Sequence, residues 1–254
     1  MTAKGITPAE ATSDSGARRN DASPEFFDRM TPSNFEHLYG RRLRPQHGRP
    51  WTFANMVAGA DGAATMHGRA EGLSSVLDQA LFQYLRSQAD VVLVGAQTVR
   101  AEGYGPIGGA VGARPRLAIV TSSGDFDYSS LLFAGSLDRP ILVAPRSRAR
   151  LIEERADGRA EVLVAGERRV DLAVAVDSLA QRQGPMILVE GGPTLLTGLM
   201  RAGVVNELCL TIAPKVGGED IRIMDLAGDP LDLRIEHIGL AAGSIFLRYL
   251  VQNR

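Results

Sequence analysis

The sequence is poor in cysteine and histidine, and these two shortages exclude most kinds of protein metal site. Cys209 is the one cysteine in 254 residues, which excludes internal disulfides, multi-cysteine zinc sites and iron–sulfur clusters. The histidines are His37, His47, His67 and His237, and no pair has HxxxH or HExxH spacing. We therefore predict no bound metal, and we expect Cys209 to be a buried, inert thiol within an apolar strand.

Net charge and long apolar runs are also missing. The sequence has 28 basic and 29 acidic residues, so its net charge of −1 creates no general attraction to nucleic acid or to an anionic membrane. No apolar run reaches the roughly 18 residues of a membrane-spanning helix, and the first residues lack a signal-peptide core. We expect a soluble, cytoplasmic protein without nucleic-acid or membrane partners.

Two common enzyme motifs are absent. The lysines are Lys4 and Lys215, and neither stands in a GxxxxGK[ST] pattern, which excludes a P-loop nucleotide hydrolase. The sequence also lacks the GxSxG turn that presents the serine nucleophile of α/β-hydrolases.

Apolar patterning divides the chain into three parts. Residues 1–22 are small and polar, which predicts a disordered tail. Residues 23–50 have scattered apolar side chains among arginine and proline, which indicates an arm that packs on the body or on a partner subunit. Residues 51–254 alternate between short apolar runs and helical periods, as expected of one α/β domain.

The alternation predicts a mostly parallel central sheet with antiparallel C-terminal strands and helices on both faces. Segment 74–88 has apolar residues at 77, 81, 82 and 85, a helical period, with Ser74 or Ser75 as its cap. Further helices are expected at 96–103, at 146–156 and from 194, and strands at 51–58, 91–95, 116–120, 140–144, 186–190, 206–216, 233–240 and 244–251.

Two strand-to-helix junctions have the pattern of a phosphate site. Residues 94–98 (VGAQT) and 189–194 (VEGGPT) each place glycine at the end of a strand and a hydroxyl residue in the first helical turn. The N–H groups at a helix start bind phosphate, and two such starts on one parallel sheet suit a dinucleotide. Each junction could equally be an ordinary tight turn with a good helix cap.

Three stretches together resemble the reductase domain of riboflavin biosynthesis, whose fold is similar to dihydrofolate reductase. They are RPWTFANMVAGADGAA, VVLVGAQTVRAE and ILVEGGPTLLTGLMRAGVVNELCLTIAPKVGG, and the resemblance covers roughly residues 49–251. It implies an NADPH-dependent homodimer that reduces 5-amino-6-(5-phosphoribosylamino)uracil or a related heterocyclic substrate. The deaminase that often accompanies this domain needs the two cysteines of a PCxxC motif, so we do not expect it within this sequence, which has one cysteine.

The resemblance also assigns site residues, position by position. It implies cofactor contacts at Gly95, Ala96, Thr98 and Val99, at Gly191, Gly192, Thr194 and Leu195, at Thr121 and Ser122 for the 2′-phosphate, and at Ala58 and Ala64 for the nicotinamide. It implies substrate contacts at Asn55, Arg86 and Glu102, and proton donation by Asp61 or Glu190. Asp61 could instead be a turn former before Gly62, and Arg86 a surface residue at a helix end.

The substrate side departs from the family pattern. Ala70, Gly72 and Gly109 stand where the family has serine, tryptophan and a basic residue, and Glu102 replaces an aspartate. Arg100, Arg114 and Arg116 are nearby cations that could replace the missing base. We therefore keep two alternatives, a dihydrofolate or pterin reductase on the same fold and a non-catalytic dinucleotide binder.

Overall fold

The structure is a computed structural model that describes residues 28–40, 49–107, 115–135, 138–228 and 230–252. The predicted tail at 1–22, two parts of the predicted arm (23–27 and 41–48), Gly109 and Arg114 lie outside the described residues. Within the described ranges, no helix is long and apolar enough to cross a bilayer.

Ten strands and seven α-helices form the described part of the chain. The strands are β1 (Asp28–Arg29), β2 (Trp51–Gly59), β3 (Val91–Gly95), β4 (Arg116–Val120), β5 (Ile141–Ala144), β6 (Glu161–Val164), β7 (Met186–Val189), β8 (Glu207–Ala213), β9 (Asp232–Ala241) and β10 (Ser244–Gln252). The helices are α1 (Phe35–Tyr39), after a 3₁₀ turn at Pro32–Asn34, α2 (Val76–Ser87), α3 (Ala96–Glu102), α4 (Leu131–Ala134), α5 (Arg146–Ala156), α6 (Leu172–Gln183) and α7 (Pro193–Arg201).

All ten strands belong to one sheet, in the order β1-β9-β10-β8-β2-β7-β3-β4-β5-β6. Neighbours from β8 through β2 to β6 run parallel, whereas β10 is antiparallel to both β8 and β9. The predicted parallel sheet with antiparallel C-terminal strands is therefore confirmed. Strand β8 ends at Ala213 and not at 216, because Pro214 has no N–H to continue the ladder.

Each face of the sheet is covered by its own set of helices, as predicted. The first face packs against α2, α3 and α5 through Leu81, Leu85, Val99 and Ile152, and the second packs against α6 and α7. The carboxyl ends of β2, β7, β3 and β4 consequently lie side by side at one edge of a rigid sheet.

Helix α2 presents both apolar and charged groups to the sheet. Ser75 is its N-cap and accepts a hydrogen bond from the Asp78 N–H, so the second of the two predicted caps is the one used. Leu81 and Leu85 are buried, and Asp78 is buried with them one turn earlier. Arg86 lies in the last turn, at the end of the helix that faces β7.

The described part of the predicted arm packs on the chain's own sheet. Strand β1 pairs in parallel with β9, and α1 buries Phe35, Leu38 and Tyr39. Beneath α1, the buried guanidinium of Arg248 donates to the Leu38 carbonyl at 3.0 Å and to Glu207 at 3.1 Å. The buried ion pair thus satisfies a backbone carbonyl of the arm as well as its own charges.

Candidate active site

The two predicted phosphate junctions are in direct contact. The Gly95 N–H, at the end of β3, donates to the Gly191 carbonyl at 2.8 Å. A Cβ added at Gly192 would lie 2.5 Å from Thr98 Oγ1, so the start of α7 approaches the start of α3 more closely than a side chain allows. Gly192 is the N-cap of α7, Pro193 is its first residue, and the Gly191–Gly192 peptide is cis. The starts of α3 and α7, whose first N–H groups have no partner within their own helix, therefore lie next to each other.

Thr121 and Ser122 follow β4, the next strand along this edge. Thr121 is buried, and its hydroxyl oxygen accepts hydrogen bonds from the N–H groups of Ser123 and Gly124 at 3.3 and 3.0 Å, whereas Ser122 is exposed. The Arg155 guanidinium, from α5, donates to the Ser123 carbonyl at 2.8 Å. The structure thus brings a cation to this loop, which the sequence alone did not indicate.

A cavity of about 430 Å³ opens beside the two junctions, between β2, α2, α3 and the end of β7. Its walls combine apolar side chains with carboxylates, a pattern typical of small-molecule sites. It is lined by Asn55, Met56, Val57, Ala64, Ala70, Glu71, Ser74, Asp78, Gln79, Phe82, Arg86, Thr98, Glu102, Tyr104, Gly105, Pro106, Ile107 and Glu190.

Glu190, Arg86 and Tyr104 form a hydrogen-bonded group in this cavity. The Glu190 side chain, 1% exposed, accepts two hydrogen bonds from Arg86 at 2.6 and 2.7 Å and one from the Tyr104 hydroxyl at 2.7 Å. The Arg86 guanidinium also lies 4.2 Å from the centre of the Phe82 ring. Such a bidentate pair fixes both side chains in orientation as well as in position.

The two donors to Glu190 keep their protons. Burial by itself lowers the pKa of the Arg86 guanidinium, but the hydrogen bonds and charge of Glu190 outweigh burial, and the pKa is raised above its ordinary value. Burial, reinforced by the Glu190 charge, raises the pKa of the Tyr104 hydroxyl well above its usual range. Tyr104 is therefore a hydrogen-bond donor throughout the physiological pH range.

Asp61 is exposed and organises a turn. Its carboxylate accepts hydrogen bonds from the N–H groups of Ala63 at 3.1 Å, Gly217 at 2.6 Å and Gly218 at 3.2 Å. These backbone bonds, with that of Ala63 the strongest, lower the pKa of Asp61 below its ordinary value. Asp61 thereby connects the turn after β2 to the loop after β8. It is not one of the described residues that line the cavity.

The remaining predicted residues divide between the cavity and its surroundings. The cavity is lined by six of them, Asn55, Ala64, Arg86, Thr98, Glu102 and Glu190. Ala58 is not among the described residues that line it. Glu102 accepts a hydrogen bond from the Ala70 N–H at 3.0 Å and so holds the loop before α2. At Gly72, where the family has a tryptophan, Met66 leaves little room for a side chain, because its Cβ would lie 3.1 Å from an added Cβ.

Comparison with known proteins identifies the family. The family model of the RibD C-terminal domain matches residues 50–244, which is most of the chain. This chain belongs to the RibD C-terminal domain family. It is accordingly an oxidoreductase of the riboflavin-pathway type, and the predictions of family, fold and enzyme class are confirmed.

Individual proteins are also similar to this chain in sequence or in structure. The 2,5-diamino-6-ribosylamino-4(3H)-pyrimidinone 5′-phosphate reductase of Methanothermobacter thermautotrophicus is 30% identical over 220 residues, 81% of this chain and 100% of that protein. The Escherichia coli riboflavin biosynthesis protein RibD is 28% identical over 202 residues, 70% of this chain and 52% of that protein. A pyrimidine reductase-like protein of Corynebacterium diphtheriae has a TM-score of 0.75 and 28% identity, covering 87% of this chain and 99% of that one.

Two residues of this RibD-type cavity were missed by sequence reasoning. Tyr104 follows α3, and its contact with Glu190 spans 86 positions of sequence, so no local pattern indicates it. Asp78 had a signal in the sequence, because it lies three and seven residues before Leu81 and Leu85 on the apolar face of α2. An acid on the buried face of a helix is rare enough to mark a site.

Proposed function

We propose that this chain is an NADPH-dependent reductase of a 6-ribosylamino-pyrimidine 5′-phosphate, with hydride delivered to C1′ of the opened ribose. The proposal rests on one observation: a single cavity contains the hydrogen-bonded Glu190–Arg86–Tyr104 group and lies next to the adjoining starts of α3 and α7. The names of the relatives support this substrate class, since the archaeal reductase acts on 2,5-diamino-6-ribosylamino-4(3H)-pyrimidinone 5′-phosphate.

The carboxyl edge of the sheet fits a dinucleotide cofactor. The starts of α3 and α7 adjoin each other, and Gly192 places no side chain between them. Thr98 adds a hydroxyl, and Ala96, Val99, Thr194 and Leu195 belong to the same two first turns. Bound along this edge, NADPH would supply the hydride for the reduction.

The loop after β4 supports NADPH over NADH. Thr121 and Ser122 provide hydroxyl groups there, and Arg155 lies within hydrogen-bond distance of the Ser123 carbonyl. A guanidinium beside hydroxyl groups is the usual environment of a protein-bound phosphate, and NADPH carries a 2′-phosphate that NADH lacks.

The hydrogen bonds of Asp61 and Glu190, the two candidate proton donors, favour a role in holding neighbouring groups in place. Both oxygens of Glu190 accept hydrogen bonds, from Arg86 and Tyr104, and both oxygens of Asp61 accept backbone N–H groups. Glu190 therefore orients Arg86 and Tyr104 in the substrate cavity, and Asp61 shapes the turn after β2. Asn55 and Glu102 complete the polar wall on the substrate side.

We also propose that the protein forms a homodimer. In the antiparallel pair of β9 and β10, Ile245 pairs with Leu240 and Leu247 with Ile238, and Tyr249 pairs with Ile235 after a register shift. Ile235, Leu240 and Ile245 are 52%, 39% and 37% exposed, although each is large and apolar. A contiguous apolar surface of this kind is typical of a protein interface, and a two-fold pair would bury it in both copies.

The activity is tested by following NADPH oxidation under one set of conditions with three candidate substrates. They are 2,5-diamino-6-ribosylamino-4(3H)-pyrimidinone 5′-phosphate, 5-amino-6-(5-phosphoribosylamino)uracil and dihydrofolate. We expect turnover with the ribosylamino-pyrimidine phosphates and slow turnover with dihydrofolate. Arg86→Gln should lower kcat/KM by about 100-fold, since a buried charged partner of Glu190 is lost. Arg182→Gln, an exposed change on α6, is the matched control and should match the parent.

Two results would contradict the proposal. Faster reduction of dihydrofolate than of both pyrimidines would support the pterin reductase alternative. Tight NADPH binding without turnover of any of these substrates would support a non-catalytic dinucleotide binder.

A further inference from the structure

Asp78 is a buried carboxylate in the wall of the cavity, and nothing in the roles proposed above uses it. The residue is 5% exposed, and its Oδ2 accepts a hydrogen bond from the Ser74 hydroxyl at 2.5 Å. Its Oδ1 is buried and has no hydrogen-bond partner among the described residues. A buried carboxylate oxygen without a donor is strongly unfavourable, so a donor is expected at this point when the site is in use.

Asn55 repeats this feature on the neighbouring strand. It is 9% exposed, it lines the same cavity from β2, and its Oδ1 is also buried without a partner in the described part of the chain. Phe82, one turn after Asp78 on α2, adds an aromatic ring to the same wall. This side of the cavity therefore offers hydrogen-bond acceptors beside a flat apolar surface.

Resting on the proposed function, we propose that Asp78 binds the amidine edge of a 2-amino-4-oxopyrimidine ring, formed by the ring N3–H and the 2-amino group. A carboxylate accepts two parallel N–H groups in one plane, and this edge presents two such donors. Of the two oxygens, Oδ1 needs a donor and Oδ2 retains acceptor capacity beside its bond to Ser74. The ligand thus supplies the donors that the protein lacks.

The same geometry discriminates against a uracil ring. Uracil replaces the 2-amino group by a carbonyl oxygen, which would face the Asp78 carboxylate without a proton between them. Two acceptors in contact repel each other, and sites built on such pairings reject the wrong analogue by large factors. Asp78 thereby selects the pyrimidine that still carries its 2-amino group, and the deaminated ring is the poorer substrate.

A pair of free bases tests this recognition independently of catalysis. 2,6-Diaminopyrimidin-4-one and 6-aminouracil differ only at C2, and their binding to the NADP-loaded protein is measured by calorimetry. We expect the parent protein to bind the diamino base at least 10-fold more tightly. Asp78→Asn should remove or reverse this preference, because a side-chain amide can donate to the uracil carbonyl.

Turnover provides the second measurement. For the parent, kcat/KM should be at least 10-fold higher with 2,5-diamino-6-ribosylamino-4(3H)-pyrimidinone 5′-phosphate than with 5-amino-6-(5-phosphoribosylamino)uracil, and Asp78→Asn should lower this ratio. Asp177→Asn removes an exposed carboxylate on α6, away from the described wall of the cavity, and should leave the ratio unchanged. Dihydrofolate carries the same amidine edge on a bicyclic ring, so its rate shows whether the recognised ring is monocyclic or bicyclic.

The outcomes separate this proposal from the proposed function. A parent protein that prefers the uracil base, or an Asp78→Asn variant with the parent's preference, would overturn the role of Asp78. Absence of turnover together with an Asp78-dependent base preference would contradict the reductase proposal and leave the recognition standing. Because each test compares two ligands on one folded protein, a loss of stability in the variant does not imitate the result.

Discussion

An added carbon atom would meet a closer neighbour at Gly192 than at Gly95 or Gly191, the other glycines of the two junctions. The atom nearest to an added Cβ is Thr98 Oγ1, at 2.5 Å, whereas the Thr98 Cβ would be 3.9 Å away, an ordinary contact. The close approach therefore depends on a single hydroxyl oxygen. A second substitution that removes this oxygen, Thr98→Ala, should therefore remove the close contact.

We expect Gly192→Ala to weaken NADPH binding by about 10-fold or more, roughly 1.4 kcal/mol, because the added Cβ displaces the Thr98 hydroxyl or separates the starts of α3 and α7. In a Thr98→Ala background the same change should cost much less, since the obstructing oxygen is gone. Fluorescence titration of the parent, both single variants and the double variant measures this coupling. Equal losses in the two backgrounds would contradict a steric origin.

At the scale of helices and strands, the elements whose pattern is contained in consecutive residues were predicted from the sequence. The junctions at 94–98 and 189–194 were predictable because strand, glycine and helix start are consecutive in sequence, and Pro193 does occupy the first helical position. The predicted helix at 74–88 is α2, Val76–Ser87, since its apolar period and its cap are both local. The fold class followed from the same alternation.

Other elements depend on distant partners and were not predicted. Strand β1 has two residues and exists because β9 lies beside it, and β6 has four residues at the edge of the sheet. Helix α6 was unassigned because alanine weakens the contrast between its apolar and polar faces. The acid on the apolar face of α2 was visible in the sequence, but the unpartnered Asp78 Oδ1 was not, because hydrogen-bond partners depend on three-dimensional packing.

The arm is held to the sheet in part by a histidine, which makes its attachment sensitive to pH. His237 on β9 lies 3.4 Å from the Asp28 carboxylate of β1 and edge-on to the Tyr39 ring of α1. Burial lowers the pKa of His237 below its ordinary 6.5, with Asp28 opposing this only partly. The folded protein therefore favours neutral His237.

This pKa shift predicts a pH-dependent stability. Below pH 6.5 the unfolded chain binds a proton at His237 more readily than the folded chain, so stability falls as pH falls from 6.5 toward the lowered pKa. The difference in unfolding free energy between the parent and His237→Gln should consequently increase from about pH 5 to about pH 7. Urea unfolding across this range measures it. Exposed His67→Asn serves as the control, and parallel profiles for the parent and His237→Gln would refute the argument.

At the scale of the whole molecule, the candidate active site and the exposed apolar side chains of β9 and β10 lie on different parts of the sheet. The proposed cofactor edge is formed by the middle strands β7, β3 and β4, whereas β9 and β10 lie toward the opposite side of β2. A second copy on the β9–β10 face would thus leave the ends of β7, β3 and β4 on strands that it does not cover.

We therefore predict a dimer in solution through the outer face of β9 and β10. Ile235→Lys places a charge at the most exposed of these side chains, 52% exposed, where burial against a second copy would leave the ammonium unpaired. Sedimentation at micromolar concentration should show a dimer for the parent and a monomer for this variant. Val174→Lys, at a 44% exposed apolar side chain on α6, adds the same charge elsewhere and should remain dimeric. A monomeric parent would contradict the assembly, and a dimeric Ile235→Lys protein would move the interface to another surface.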